Sequence, residues 1–310
     1  MDNFIYDLCI IGGGPAGVAG GVYAARKKIK TVFITEHFRN QSVVSENIHN
    51  WIGTVSISGE DLAKSLEKHL KSYAGDILNI KEKETVLELK KDGEIFYIKT
   101  NKSEYKSKTV LIASGSIRRK LKMKGAEEFE GKGITYCATC DGPLFADMDV
   151  AVIGGGNSAF ESASQLLAYA KSVTILQRSD FKADPITIKK VLSDPRIKGI
   201  TNIDLLEIKG DKFVSGISYK DKATGEEKEL PIQGIFVEIG ANPSVEYIKN
   251  GLVKLNEKEE IIVDPKIQKT SEEGIWSAGD CTDGLYKQNN IAVGDAIKAL
   301  EDIYKYLKTK

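Results

Sequence analysis

The chain has 310 residues, 44 basic and 44 acidic side chains, 41% hydrophobic content and 29 glycines. Its length exceeds what one hydrophobic core usually supports, so two domains are expected, and zero net charge speaks against nucleic acid or an anionic membrane as the main partner. No apolar run approaches the ~18 residues of a membrane span, the N-terminus has no basic leader ahead of its first strand, and four cysteines are too few for a disulfide scaffold, so the expected location is the cytoplasm.

In chain order, the first strong pattern is "YDLCIIGGGPAGVAGGVYAARKK". A β-branched run reaches Gly12-Gly13-Gly14-Pro15-Ala16-Gly17 and passes into a small-residue helix. A second strand, "KTVFITE", then ends at Glu36. This is G-x-G-x-x-G with a strand before it, a helix after it and an acidic residue about 20 residues on. Gly12 permits the tight turn, Gly14 lets a pyrophosphate approach the backbone, Gly17 lets helix and strand pack closely, and the helix N-terminus offers free N–H groups to phosphate. Glu36 can accept hydrogen bonds from a ribose.

After a loop around "SENIHNWIG", a helix is expected near 59–73. "TVLELKKDGEIFYIKT" reads as a hairpin turning at Asp92-Gly93, and "KTVLIASGS" as a buried parallel strand. The nucleotide-binding pattern then recurs in "DVAVIGGGNSAFESASQLLAYAKSVTILQ". A strand meets Gly154, Gly155, Gly156, Asn157, Ser158 and Ala159, with Ala159 in place of the third glycine. One such fingerprint is weak evidence; two in full strand–helix–strand context argue for two dinucleotide-binding domains. A hairpin and strand follow in "FVSGISYKDKATGEEKELPIQGIFVEIG", so the halves share one order of elements. The closing "EGIWSAGDCTDGLYKQNNIAVGDAIKAL" reads strand, loop, helix, and should return to the first domain. The expected fold is α/β: two Rossmann-like domains of three-layer ββα form, the second (117–245) inserted into the first (1–116 and 246–310), with linkers near 115–118 and 244–247.

The segments "GGGPAG", "HNWIG", "TVLIASGS", "GITYCATCDGPLF", "VAVIGGGNSAFE", "FVEIGANP", "WSAGDCTD" and "YKQNNIAVGDAIKAL", in this order and spacing, resemble the low-molecular-weight thioredoxin reductase family over nearly the whole chain. They are also similar to the flavoprotein subunit of alkyl hydroperoxide reductase, without its N-terminal thioredoxin-like domain. The resemblance implies FAD on the first and last segments: Gly12, Gly14 and Gly17 at the pyrophosphate, Glu36 at the adenosine ribose, Gln41 and Asn50 near the flavin, and Gly279-Asp280 at the ribityl chain. A helix beginning near Gln288 would aim its N-terminal dipole at the flavin's pyrimidine edge. It also implies a homodimer.

Cys137 and Cys140 stand in "CATCDG". Zinc wants four ligands, whereas Cys9 and Cys281 are isolated and His37, His49 and His69 lack metal-pair spacing. A structural staple over so short a loop would restrict the unfolded chain little. A redox pair fits best, because C-x-x-C supports reversible exchange and two nucleotide-binding folds supply electrons. The resemblance places Cys140 against the flavin and makes Cys137 the attacking thiol. Asp141 is the candidate acid/base, with helix N-capping as its bland alternative. Rotation of the inserted domain about the linkers would alternate the flavin's partners. Cys9 reads as a buried hydrophobe.

One stretch departs from the family. Where NADPH users carry His-Arg-Arg and a later Arg, this chain has Gln177, Arg178, Ser179 and Lys182. The place for the nicotinamide nucleotide is therefore Gly154, Gly156, Asn157, Ser158 and Ala159 with Gln177, Arg178 and Lys182, and NADPH and NADH are both open. The leading expectation is a flavin-dependent reductase of thioredoxin or a glutaredoxin-like protein. The alternatives are a peroxiredoxin-recycling or NADH-oxidase flavoprotein, a member fed by ferredoxin or another donor, and a flavin-binding redox sensor without fast turnover.

Overall fold

The computed structural model describes residues 4–39, 41–45, 48–249 and 251–309, so Glu46 and Asn47 of the "SENIHNWIG" loop lie outside the described residues. The chain opens with β1 (Ile5–Ile11), α1 (Pro15–Arg26), β2 (Thr31–Thr35), α2 (Gly59–Lys71) and β3 (Leu78–Glu82), then β4 (Val86–Asp92), β5 (Ile95–Thr100) and β6 (Glu104–Ile112). Strands β3, β2, β1 and β6 lie side by side and parallel. The expected hairpin is β4–β5, with Gly93 at φ 59° in its turn. Helix α2 starts where the sequence places it, because the Ser58 hydroxyl caps it by accepting from the Asp61 N–H at 3.0 Å, and Glu60 and Asp61 face its positive end.

A short strand β7 (Ser116–Arg118) leaves this sheet. Then come β8 (Ile134–Thr135), α3 (Ala138–Asp141), β9 (Asp149–Ile153), α4 (Asn157–Leu166), β10 (Ser172–Leu176), α5 (Pro185–Val191), β11 (Ile197–Ile200), β12 (Ile203–Gly210), β13 (Val214–Asp221), β14 (Glu227–Pro231) and β15 (Gly234–Val237). A second parallel sheet runs β11-β10-β9-β15-β8, and β12-β13-β14 form an antiparallel sheet. Strand β16 (Ala241–Pro243) pairs antiparallel with β7. Finally β17 (Ile275–Ser277) pairs in parallel with the last residues of β6, and α6 (Asn289–Thr309) ends the chain. Strand β6 thus pairs with β1 on one edge over Lys106–Ile112 and serves two partners on the other: Glu104–Ser107 bond β5 antiparallel, and Val110–Ile112 bond β17.

The strand alternation explains the layers. Leu8 and Ile10 of β1 pack among residues of α1 and α6, whereas Cys9 and Ile11 face Phe96 and Ile98 of the hairpin and Val245 and Ile248. In β9, Val150 and Val152 meet Phe160 of α4, and Ala151 and Ile153 meet Ile208 and Ile217 of the antiparallel sheet. Each parallel sheet is therefore covered by helices on one face and an antiparallel layer on the other, the ββα arrangement read from the sequence. Val245 and Ile248 pack in the same core as Cys9 and Ile11, directly after β16 pairs with β7. Among the described residues no helix is long and apolar enough to cross a membrane.

Candidate active site

Both glycine turns sit at the carboxyl ends of their parallel strands. Gly12 adopts φ 119°, and a Cβ there would lie 2.2 Å from the Ala113 carbonyl oxygen; one on Gly17 would lie 1.8 Å from the Gly12 oxygen. Gly14 starts α1 without any side-chain cap, which leaves first-turn N–H groups for an incoming anion. Glu36, one residue beyond β2, is exposed at the same edge. Gly154 repeats the geometry at φ 145°, its Cβ position 2.3 Å from the Glu238 carbonyl oxygen, and Gly156 starts α4 uncapped with open space above it. Ala159 is fully buried, so the fingerprint's third small residue serves packing, while Ser158 is exposed.

A dinucleotide with a polar middle fits the first cradle, and Asp280 supplies a further test. It follows Gly279, which takes φ 79° at the end of the β17 segment. Burial pushes its carboxyl up, opposed by the charges of Lys287 and Arg118. Its carboxylate makes no hydrogen bond among the described residues.

The N-terminus of α6 gathers a polar network. Asn50 Nδ2 donates to Gln288 Oε1 at 3.1 Å, Asn290 Nδ2 donates to the Asn50 carbonyl at 2.6 Å, and Asn289 Nδ2 reaches Ser42 Oγ at 2.9 Å. Gln41 donates to the Ser116 carbonyl, which ties it to strand β7. The second polar hydrogen of Asn50 points across to Cys140 Sγ at 3.8 Å. That contact joins the loop after β2 to the cysteine loop carried by the second sheet.

Cys137 and Cys140 form a disulfide with Cα atoms 5.2 Å apart. Cys137 caps α3, its sulfur accepting from the Cys140 N–H at 3.2 Å. Asp141 is buried, and Thr135 Oγ1 donates to its Oδ2. Burial raises its pKa above the ordinary carboxylate value; the Thr135 hydrogen bond and the charge of Arg118 oppose that rise. Asp141 stands at the N-cap position of the short 3-10 turn Gly142–Phe145, where its side chain makes no capping hydrogen bond, while Cys137 caps α3. The other two thiols are fully buried and pushed up by desolvation, hence inert.

At the second cradle, Gln177 lies along Gly155, whose Cβ position would be 2.7 Å from the Gln177 side chain. Its Oε1 accepts from the Arg178 N–H at 3.2 Å and its Nε2 approaches Ser179 Oγ at 3.4 Å. Asn157 Oδ1 accepts from the Asp184 N–H at 2.8 Å, holding the following loop against α4. The Lys182 N–H bonds the Gly155 carbonyl at 2.7 Å, and the side chains of Arg178 and Lys182 enter no ion pair among the described residues.

Three residues escaped the sequence reading. Thr135 carries no motif and is found only through its bond to Asp141. Glu238, at the end of β15, accepts from Ser162 Oγ at 2.6 Å, and burial pushes its carboxyl up. Arg118 sits on β7 with its guanidinium 5.8 Å from the Tyr136 ring centre; only its place in a basic run could have drawn attention.

Comparison with known proteins agrees with this geometry. The pattern of the family described as "Pyridine nucleotide-disulphide oxidoreductase" matches residues 6–296. The chain is 41% identical to "NADH dehydrogenase" of Bacillus subtilis (strain 168), over 99% of this chain and 59% of that protein. It is 40% identical to an alkyl hydroperoxide reductase component of Pseudomonas putida, over 95% of this chain and 56% of that protein. The chain thus spans under two thirds of the length of these curated relatives. Among solved structures, thioredoxin reductase from Streptococcus pyogenes MGAS5005 superposes with a TM-score of 0.91 at 31% identity, covering 100% of both chains. Lactococcus lactis thioredoxin reductase in its "FR conformation" gives 0.66 at 32% identity, covering 98% of this chain and 100% of that one.

Proposed function

The chain belongs to the pyridine nucleotide-disulphide oxidoreductase family, and from that premise we propose that it is a thioredoxin reductase-like flavoenzyme that takes electrons from NADPH or NADH and reduces the disulfide of thioredoxin or a glutaredoxin-like protein. The observation that carries this reading is the Cys140 sulfur held 3.8 Å from Asn50, beside Gln288 at the start of α6, where the first nucleotide cradle and the closing helix converge. Residues 1–116 and 246–310 would form the FAD unit, with Gly12, Gly14, Gly17, Glu36, Gln41, Asn50, Gly279, Asp280 and Gln288 around the cofactor. Residues 117–245 would form the nicotinamide unit. Bound FAD would supply a two-electron reductant for the Cys137–Cys140 disulfide.

In the reduced enzyme the Cys137 thiolate attacks one sulfur of the substrate disulfide. That S–S bond breaks, a mixed disulfide forms, and the departing thiolate takes a proton from Asp141. Cys140 then attacks Cys137, releasing the second substrate thiol and restoring the intramolecular disulfide. Asp141 suits the donor's role because burial keeps its proton on to higher pH than an ordinary carboxyl. Asp141→Asn is expected to lower kcat about a hundredfold and to remove the fall in rate on the basic side, as read from the pH profile of disulfide reduction.

Cys140 and the nicotinamide cradle cannot both face one flavin, so the units must rotate about β7 and β16. The drop in TM-score from 0.91 to 0.66 between relatives of nearly equal identity and near-complete coverage supports such a rearrangement. For the nucleotide, Gln177 neither repels a 2′-phosphate nor grips a ribose diol as a carboxylate does. Exposed Arg178 and Lys182 would attract the phosphate across screening solvent. Arg178→Ala/Lys182→Ala is expected to weaken NADPH binding about tenfold and to leave NADH within about twofold, measured by calorimetric titration.

A second reading, reduction of a peroxide-reducing partner, draws on the likeness to the Pseudomonas putida protein. Anaerobic stopped-flow against NADPH, NADH and reduced ferredoxin, followed by turnover with thioredoxin, a glutaredoxin-like protein and a peroxiredoxin, tests both. A colourless protein that takes up no flavin overturns the proposal.

A further inference from the structure

We propose that Thr135 is a positioning residue for proton transfer at the redox loop: its hydroxyl holds Oδ2 of the Asp141 carboxyl, which fixes the transferable proton on Oδ1 and steadies the carboxylate left when that proton goes to the departing thiolate. This rests on reading Asp141 as the acid, and it goes beyond that reading by naming the oxygen that carries the proton and the group that eases its release.

Thr135 is the last residue of β8, and parallel pairing sets its backbone: Ile134 lies opposite Ile235 and Thr135 opposite Phe236 of β15. A branched Cβ leaves threonine few χ1 rotamers, so the hydroxyl has a defined direction. It donates to Asp141 Oδ2. The Asp141 N–H in turn donates to the Cys137 carbonyl at 3.0 Å. Asp141 is therefore tied by its backbone to Cys137 and by its side chain to the residue two places before Cys137, with both cysteines between the tied ends. Among the described residues the Thr135 hydroxyl is the one hydrogen-bond donor to this carboxyl, and Oδ1 accepts none.

A buried carboxyl keeps its proton because little water remains to support the anion, and Asp141 is buried. Retention suits an acid at rest but resists the release that the reaction needs. The unprotonated oxygen of a carboxyl is its better acceptor, so a donor on Oδ2 favours the proton on Oδ1. In the transfer the Oδ1–H bond breaks, an S–H bond forms on the departing thiolate, and the negative charge moves to the carboxylate. The bond from Thr135 then becomes charge-assisted, roughly twice as strong as one between neutral groups. It therefore stabilises the state with the proton gone more than the resting acid, which is how a contact lowers a barrier. The charge of Arg118 acts in the same direction without touching the carboxyl. The remaining neighbours are occupied or apolar. Cys137 and Cys140 are joined to each other, and the Tyr136 hydroxyl donates to Glu130 at 2.9 Å. On α4, which packs against α3, Ser162 donates to Glu238, Gln165 accepts from Thr139 at 2.8 Å, and Glu161 is exposed; the Tyr169 ring lies against Gly142.

The test uses the oxidised, flavin-loaded enzyme with Thr135→Val, which keeps the branched shape and removes the hydroxyl, and Thr135→Ser, which keeps the hydroxyl. Infrared absorption is followed as pH is raised, and the C=O stretch of protonated Asp141 is identified by its absence from Asp141→Asn. In Thr135→Val that band is expected at higher frequency, because its oxygen has lost a donor, and it should persist to higher pH, because the carboxylate has lost a partner. Thr135→Ser should match the wild type. In steady-state reduction of a small aromatic disulfide, Thr135→Val should lose about tenfold in kcat at unchanged KM, with the basic limb of the pH profile displaced to higher pH. Serine should hold the rate within about twofold. Should Thr135→Val fail to fold, Thr135→Ala carries the same comparison. An Asp141 band unmoved in frequency and in pH dependence overturns the proposal. So does an equal loss of rate in the valine and serine variants with no displacement of the limb, which marks a role in shape alone. The infrared result needs neither nucleotide nor disulfide substrate, so it stands apart from the functional reading, whose failure is seen as no turnover with either nucleotide.

Discussion

Replacing Cys140 by serine is expected to stop electron delivery to every disulfide substrate, lowering kcat at least about a thousandfold, while NADPH or NADH still bleaches the bound flavin. A hydroxyl can neither close a disulfide with Cys137 nor hold the negative charge that thiol exchange requires at neutral pH. Its smaller oxygen also loses the weak bond from Asn50 Nδ2, so the two units lose one of the contacts that joins them in this arrangement. Cys137→Ser should be equally inactive for a different reason: Cys140 would still face the first unit, but no thiolate would remain to attack the substrate. Cys9→Ala is the control. That thiol is fully buried with its acidity suppressed by desolvation, and its loss should leave turnover unchanged. The measurement is anaerobic stopped-flow of flavin absorbance paired with steady-state reduction of thioredoxin. Undiminished carrier reduction by Cys137→Ser/Cys140→Ser protein would remove the chemical basis of the proposed function.

How much of this was legible in the sequence depends on whether a residue's role is local. The glycine turns were, because a positive φ and a close backbone approach leave only one residue type, and the strand–glycine–helix order fixes where the turn sits. The β4–β5 and β13–β14 hairpins were visible through alternation and turn residues, and α2 as a helical stretch near 59–73. Strands β11 and β12 were not. Lys198 and Gly199 break the apolar pattern in β11. In β12 the buried residues are Ile203 and Ile208, an odd number apart, because a register shift between Leu205 and Glu207 interrupts the alternation. Strand β7 was read only as part of a linker and β16 was not read at all, since three residues carry no periodicity and their pairing is set by the sheets on either side. The same holds at the site. "CATCDG" announces itself, but Thr135, Arg118 and Glu238 gain their relation to it from folding.

Gly12→Ala carries the other large expected effect: a protein that purifies with little or no flavin and is destabilised by about 2–4 kcal/mol. Two costs add. At φ 119° an alanine is in backbone territory that L residues rarely adopt, and its methyl carbon would stand 2.2 Å from the Ala113 carbonyl oxygen. Because that oxygen belongs to backbone just beyond β6, whose parallel pairing with β1 runs to Ile11–Ile112, no side chain can swing aside, and relief requires β1 and β6 to separate where the nucleotide pyrophosphate would lie. Gly93→Ala isolates the conformational part. It also has positive φ, 59°, but sits in the β4–β5 turn with nothing within 4 Å of the new methyl. It should cost only about 1–2 kcal/mol and retain a full complement of flavin. The ratio of flavin absorbance to protein, read alongside thermal unfolding of the two variants, separates strain from obstruction. A Gly12→Ala protein as yellow as the wild type would show that the first glycine turn does not hold the cofactor, and the assignment of FAD to β1 and α1 would fall with it.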